Sequence, residues 1–135
     1  MLHEEKNTEN LKTLTEMNIL LRASEQIDNQ MTDEAVERRM VSFIESTQYR
    51  IYTIREGMNI IGYAVIDSER RPPYLRQLFL HEAHRSKGIG RGILSDLKKI
   101  LKTEEIDVEV MAWNSRAVKF YERNGAQLRT KGYRF

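Results

Sequence analysis

Leu78-Phe79-Leu80-His81-Glu82-Ala83-His84-Arg85-Ser86-Lys87-Gly88-Ile89-Gly90-Arg91-Gly92 is the stretch that decides the fold. A short apolar run suited to a strand meets a basic turn carrying three glycines. Ile93, Leu94, Leu97, Ile100 and Leu101 then repeat at helical spacing. Glycine inside a helix costs roughly 0.5–1 kcal/mol relative to alanine, so a cluster of them at a helix start needs a physical reason. Close approach of bare backbone N–H groups to an anion supplies one. A helix N-terminus offers unpaired donors and the positive end of its dipole, which suits a phosphate. Arg85, Lys87 and Arg91 add positive charge at the same place. The stretch therefore predicts strand, phosphate-binding turn and helix. It does not end in the Gly-Lys-Ser/Thr of a nucleotide P-loop. Ile93 stands where a dinucleotide fingerprint needs its last small residue.

With 135 residues the chain is expected to be a single domain over 1–135, able to bury about two-thirds of its unfolded surface. The net charge of +2 gives no case for nucleic acid or an acidic membrane surface as partner. No apolar run has the length of a membrane-spanning helix, and the N-terminus lacks a signal-type apolar core, so a cytoplasmic location is expected. The absence of cysteine excludes disulfides, thiolate metal sites and a cysteine nucleophile. His3, His81 and His84 are the only histidines, which argues against a histidine-rich zinc site.

Outward from the glycine turn, the chain alternates strands and helices. Residues 1–6 suit a short edge strand or a loose end. Asn7 or Thr8 can cap a helix carrying Leu11, Leu14, Met17, Leu20 and Leu21. Thr32 caps a second, with Val36, Met40, Phe43 and Ile44 as its buried stripe. Strands are predicted at Tyr49–Arg55 and Met58–Ile66, joined at Glu56-Gly57. Apolar residues on both faces of the second require helices on both sides of the sheet. Tyr74–Leu80 is the strand before the glycine turn, and its helix runs to about Lys102. Ile106–Met111 alternates as a strand; Asn114 or Ser115 caps a last helix, which stops at Gly125. Gln127–Phe135 is expected as a final strand.

Arg85-x-x-Gly88-x-Gly90 resembles the acyl-CoA pyrophosphate loop of the Gcn5-related N-acetyltransferases, the GNAT superfamily. Asn114, Ala117 and Phe120-Tyr121-Glu122-Arg123-Asn124-Gly125 resemble its second signature, and Gly62-Tyr63-Ala64 its third strand. The order of elements is similar as well, over most of the chain. The resemblance implies an α/β (α+β) fold with a mixed sheet of about six strands covered by four helices, in the order β-(αα)-ββ-β-α-β-α-β. Two features depart from the family pattern. Ala126 follows Gly125 where a large apolar residue is usual, and too few residues remain for the usual two terminal strands. A homodimer is one way to complete such a sheet.

The same resemblance implies acyl transfer from acetyl-CoA to a primary amine of a small molecule or protein, without a metal. Backbone groups of Leu78 and Leu80 would pair with the pantetheine arm, in a gap where this strand splays from the next. Arg85, Ser86, Lys87, Gly88, Gly90 and Arg91 would hold the pyrophosphate, and the Asn114 side chain would bond the pantetheine region. The Leu78 N–H is the implied oxyanion donor and Tyr121 the implied general acid for the departing sulfur. Where several members carry a glutamate on the cofactor strand, this chain has Tyr74. Glu25, Asp28, Glu56 and Asp67 remain as alternative bases acting through water. Glu25 and Asp28 also suit a cationic acceptor such as a polyamine, an aminoglycoside or a lysine side chain. Two other functions fit the same residues. One is a non-catalytic acyl-CoA-binding sensor; the other is an RNA-directed acetyltransferase, with Arg116, Lys119 and Arg123 along one helix side.

Overall fold

Gly57 adopts φ 61°, a left-handed conformation that suits glycine, and so folds two strands into a hairpin. These are β2 (Tyr49–Glu56) and β3 (Asn59–Asp67). They form the middle of the sheet in a computed structural model that describes residues 1–25, 30–85 and 87–135. β1 (Leu2–Glu5) lies antiparallel on the outer edge of β2, and β4 (Tyr74–Leu80) lies antiparallel on β3. β5 (Asp107–Val108) joins β4 in parallel, so the sheet runs β1-β2-β3-β4-β5. Gly62 is required at the β3–β4 contact, because a Cβ there would strike the carbonyl oxygen of Phe79.

Helices cover both faces, as the two-sided apolar pattern of β3 requires. On one face α1 (Leu11–Glu25) and α2 (Asp33–Glu45) bury Leu14, Met17, Leu21, Met40 and Phe43 against Ile51, Tyr63, Val65 and Phe79. On the other, α3 (Ile89–Leu101) buries Ile93 and Leu97 against Tyr52, Ile54, Ala64, Ile66 and Leu75. Tyr121 of α4 (Ser115–Arg123) packs at the margin of that second cluster. Thr32 caps α2 as its sequence predicts, its Oγ1 accepting from the Ala35 N–H at 3.1 Å. No helix among the described residues is long and apolar enough to cross a membrane.

The sheet has five strands, not about six. Gln127–Phe135 forms no strand, and Leu128, Tyr133 and Phe135 stay exposed. The cause lies one strand earlier. The alternation at Ile106–Met111 promises a longer strand, but only Asp107 and Val108 find partners, at Tyr74 and Leu75. Two residues of ladder are too short an edge for another strand to extend.

Candidate active site

The pairing of β4 with β5 ends because β4 carries a bulge. Val65 faces Gln77 and Ile66 faces Leu75, which leaves Arg76 as an extra residue without a partner on β3. Beyond Leu75 the outer edge of β4 has no neighbouring strand among the described residues. The His81 N–H donates back to the Ile61 carbonyl at 2.8 Å. By the two-residue alternation of an antiparallel ladder, the peptide groups of Leu80 and Leu78 then point the other way, into the gap. The two are not equivalent. The Leu80 carbonyl already accepts from Arg85 Nε at 2.7 Å, so Arg85 is spent on the end of its own strand and leans over the Phe79 ring. Among the described residues no protein strand pairs with the edge at Leu78.

The gap leads to the start of α3. Gly88 is its N-cap at φ 76°, with no capping side chain, so the first-turn N–H groups keep no partner from a cap. Lys87 and Arg91 are exposed beside them. The glycines divide by cause. Gly88 answers to backbone conformation. A Cβ on Gly90 would lie 2.6 Å from Phe120 Cζ, so this glycine admits the α4 ring, a packing role that the phosphate argument does not contain. Gly92 borders open space. Ser86 lies outside the described residues.

α4 is fixed at both ends. Asn114 Oδ1 accepts from the Ala117 N–H at 3.2 Å, making Asn114 the N-cap and leaving its amide nitrogen for a ligand. Gly125, at φ 91°, ends the helix: its N–H donates to Glu122 and the Ala126 N–H to Tyr121, the paired bonds of a Schellman stop. This holds Tyr121 against the sheet. Burial pushes the Tyr121 phenol above its ordinary pKa of 10, and the charges of Glu25 and Tyr74 add to the shift. Among the described residues nothing hydrogen-bonds its hydroxyl.

The opposite side of the gap faces α1 and α2. Asn18, fully buried, donates to Tyr63 Oη at 2.7 Å and to Gln77 Oε1 at 3.0 Å. Its Oδ1 accepts from Arg39 Nη2 at 2.7 Å. Sequence reading missed this network, though an asparagine on the same helical stripe as Leu14 and Leu21 was its one visible sign. Glu25 ends α1 here. Its carbonyl accepts from Trp113 Nε1 at 3.0 Å, tying α1 to the segment before α4. Burial raises the Glu25 carboxyl above its ordinary value, against the pull of Arg22 and Arg39. The other alternative bases lie elsewhere. Glu56 faces His84 at 3.7 Å, and Asp67 is occupied by Gln48, Arg70 and the Glu69 N–H. Asp28 lies outside the described residues. Among the described residues no His, Asp or Glu cluster could hold a metal ion.

Residues 5–127 match the family described as acetyltransferase (GNAT) domain. The chain belongs to the GNAT acetyltransferase family. Solved structures share its fold across its whole length. A tetramutant of the BH1408 protein from Bacillus halodurans aligns with a TM-score of 0.81 at 18% identity, covering 100% of this chain and 98% of that one. The ribosomal-protein-alanine N-acetyltransferase of Brucella melitensis biovar Abortus 2308 aligns at 0.74 with 13% identity, covering 100% and 97%. The aminoglycoside N-acetyltransferase AAC(6')-Iy, solved in complex with CoA, aligns at 0.75 with 13% identity, covering 100% and 95%. The splayed strand, glycine turn and α4 tyrosine described above are thus parts of a GNAT domain.

Proposed function

We propose that this GNAT domain is an acetyl-CoA-dependent N-acetyltransferase acting on a primary amine, with residues 1–135 forming one domain. One juxtaposition carries the proposal: Leu78 on the open edge of β4, Ile89 at the start of α3 and Tyr121, whose hydroxyl no described residue engages, all border the same core cluster. These residues fit coenzyme A. The Arg85 N–H is already given to the Glu82 carbonyl, but main-chain N–H groups from Lys87 to Arg91, with the Lys87 and Arg91 side chains, match the charge of a diphosphate. The gap at Leu78 and Leu80, with the Asn114 amide nitrogen, matches an arm rich in amides. When bound, acetyl-CoA supplies the activated acyl group.

The chain's own residues do the rest. The Leu78 N–H donates a hydrogen bond toward the acyl oxygen. Tyr121 keeps its proton through neutral pH, because burial disfavours the phenolate, and holds it for the departing sulfur. Glu25 is the base, receiving the amine proton directly or through one water. Three observations support it: it closes α1 beside the gap, its charge reaches Tyr121 and Tyr74, and Glu56 and Asp67 are engaged elsewhere. Thiol release from acetyl-CoA across a panel of amines tests the proposal. Wild type should acetylate at least one amine, and Tyr121→Phe should slow it while CoA still binds. Equal rates would discard Tyr121 as the acid.

A further inference from the structure

Arg85 is spent on the Leu80 carbonyl; the other arginines with ring or carboxylate contacts at the sheet divide by partner. Arg50, Arg55 and Arg70 each lie within ion-pair reach of a carboxylate, on Glu4, Glu5 and Asp67. Arg39 and Arg76 do not. Their guanidinium carbons lie 5.9 and 5.4 Å from the centre of the same Phe43 ring, with no carboxylate within 4 Å of either among the described residues. Arg39 spends Nη2 on Asn18, and its Nε is buried without a partner. Arg76 rests on Phe43 and Tyr49 and makes only a long bond, 3.4 Å, to Tyr49 Oη. Burial and the charge of Arg22 make the Arg39 cation less favourable than usual, and Arg76 adds to the repulsion.

Their position is set by the fold. The β4 bulge turns Arg76 and Gln77 both toward α1 and α2, Gln77 reaching Asn18 and Tyr63, Arg76 reaching Phe43. Through Asn18, the Arg39 guanidinium is bonded to the same network that ends on Gln77, next to Leu78. Two unpaired guanidinium groups, held by aromatic stacking and one amide, thus stand on the side of the gap opposite the diphosphate-binding turn. Glu25 is the carboxylate whose charge reaches Arg39. Among the described residues the face carries an excess of positive charge. Planar guanidinium forks suit carboxylate and phosphate oxygens, and a stacked ring pre-orders them for such contacts.

We infer that Arg39 and Arg76 form an oxyanion subsite of the acceptor pocket, so that the preferred acceptor is an amine that also carries a carboxylate or phosphate. The inference rests on the acetyltransferase reading only in calling this face the acceptor side. It adds an anionic group to the cationic acceptor that Glu25 and Asp28 suggested, and Asp28 itself lies outside the described residues. Glu25 faces the amine end of such a molecule, and the arginines face its anionic end.

Matched pairs of ligands test it: α-amino acids against their carboxamides, and aminoalkyl phosphates against the amino alcohols. Both binding, by calorimetry without CoA, and turnover, by thiol release, are read for wild type and Arg76→Gln. Arg76 is exposed, so this variant should fold normally. Wild type should favour the anionic member of at least one pair by about tenfold or more, the worth of one hydrogen bond to a charged group. Arg76→Gln should shrink that preference through KM and Kd. The pair that discriminates tells carboxylate from phosphate. Equal binding of both members of each pair, or a preference untouched by Arg76→Gln, overturns the subsite whatever the turnover. Selective binding with no amine acetylated would sustain the subsite and sink the acetyltransferase proposal instead.

Discussion

Tyr121 and Glu25 hold opposite ends of the proposed proton path, and burial moves both pKa values upward. For the phenol this keeps the acid form intact past its ordinary value of 10, so no alkaline limb from Tyr121 should enter the kcat profile between pH 7 and 9. Tyr121→Phe should lower kcat by about 100-fold, at the low end for loss of a general acid, with CoA affinity retained. For Glu25 the upward shift makes the carboxylate a stronger base but lets it be protonated at higher pH. The acid limb of kcat/KM should therefore lie above pH 4.5. Glu25→Gln should remove that limb and lower kcat/KM by about 100-fold. A limb that survives in Glu25→Gln would assign the base to another group. Such roles were only partly legible in sequence. Tyr121 stood inside a local motif, whereas Glu25 was one acid among several, and its proposal as base draws on the end of α1 that Trp113 holds. The Asn18–Tyr63–Gln77 network was illegible because its members come from α1, β3 and β4, and no local spacing joins them.

Among elements, α3 and β1 give the clearest stability predictions. Gly92 borders open space within the first turns of α3, so Gly92→Ala should stabilise the protein by about 0.5–1 kcal/mol in urea unfolding. Gly90→Ala should instead destabilise it, because the new Cβ meets the Phe120 ring, which itself stacks edge-on with Tyr121 at 5.1 Å. Opposite signs for two glycines in one turn would separate packing from propensity. On β1, burial pushes Glu5 up, but hydrogen bonds from Thr53, Arg55 and Asn10 outweigh it and hold the carboxyl below 4.5. A depressed folded pKa means the unfolded chain binds more protons, so this stabilisation is present above pH 4.5 and fades as pH falls through the folded value. Glu5→Gln should cost roughly 2 kcal/mol at pH 7 and less at pH 3.5. A difference independent of pH would refute the ionised network. Element positions were readable where apolar spacing and caps agreed, as at Thr32, Gly57 and Gly125. They were misread where a strand needs a partner to exist: the alternation at Glu109–Met111 is real, but the bulge at Arg76 carries β4 out of its reach.

For the whole molecule, the organising fact is that one sheet opens between β4 and β5 while helices seal both of its faces. The glycine turn in the sequence pointed to one end of that opening, and the α4 motif to its wall. The other side, where Arg39 and Arg76 share the Phe43 ring, emerges only from the fold, since α2 and β4 come from distant parts of the chain. A crystal structure with acetyl-CoA tests the central claim most directly. The diphosphate should lie on the main-chain N–H groups between Arg85 and Arg91, and the thioester in the gap beside Leu78 and Tyr121. A diphosphate bound elsewhere, or no binding at saturating acetyl-CoA, would contradict it.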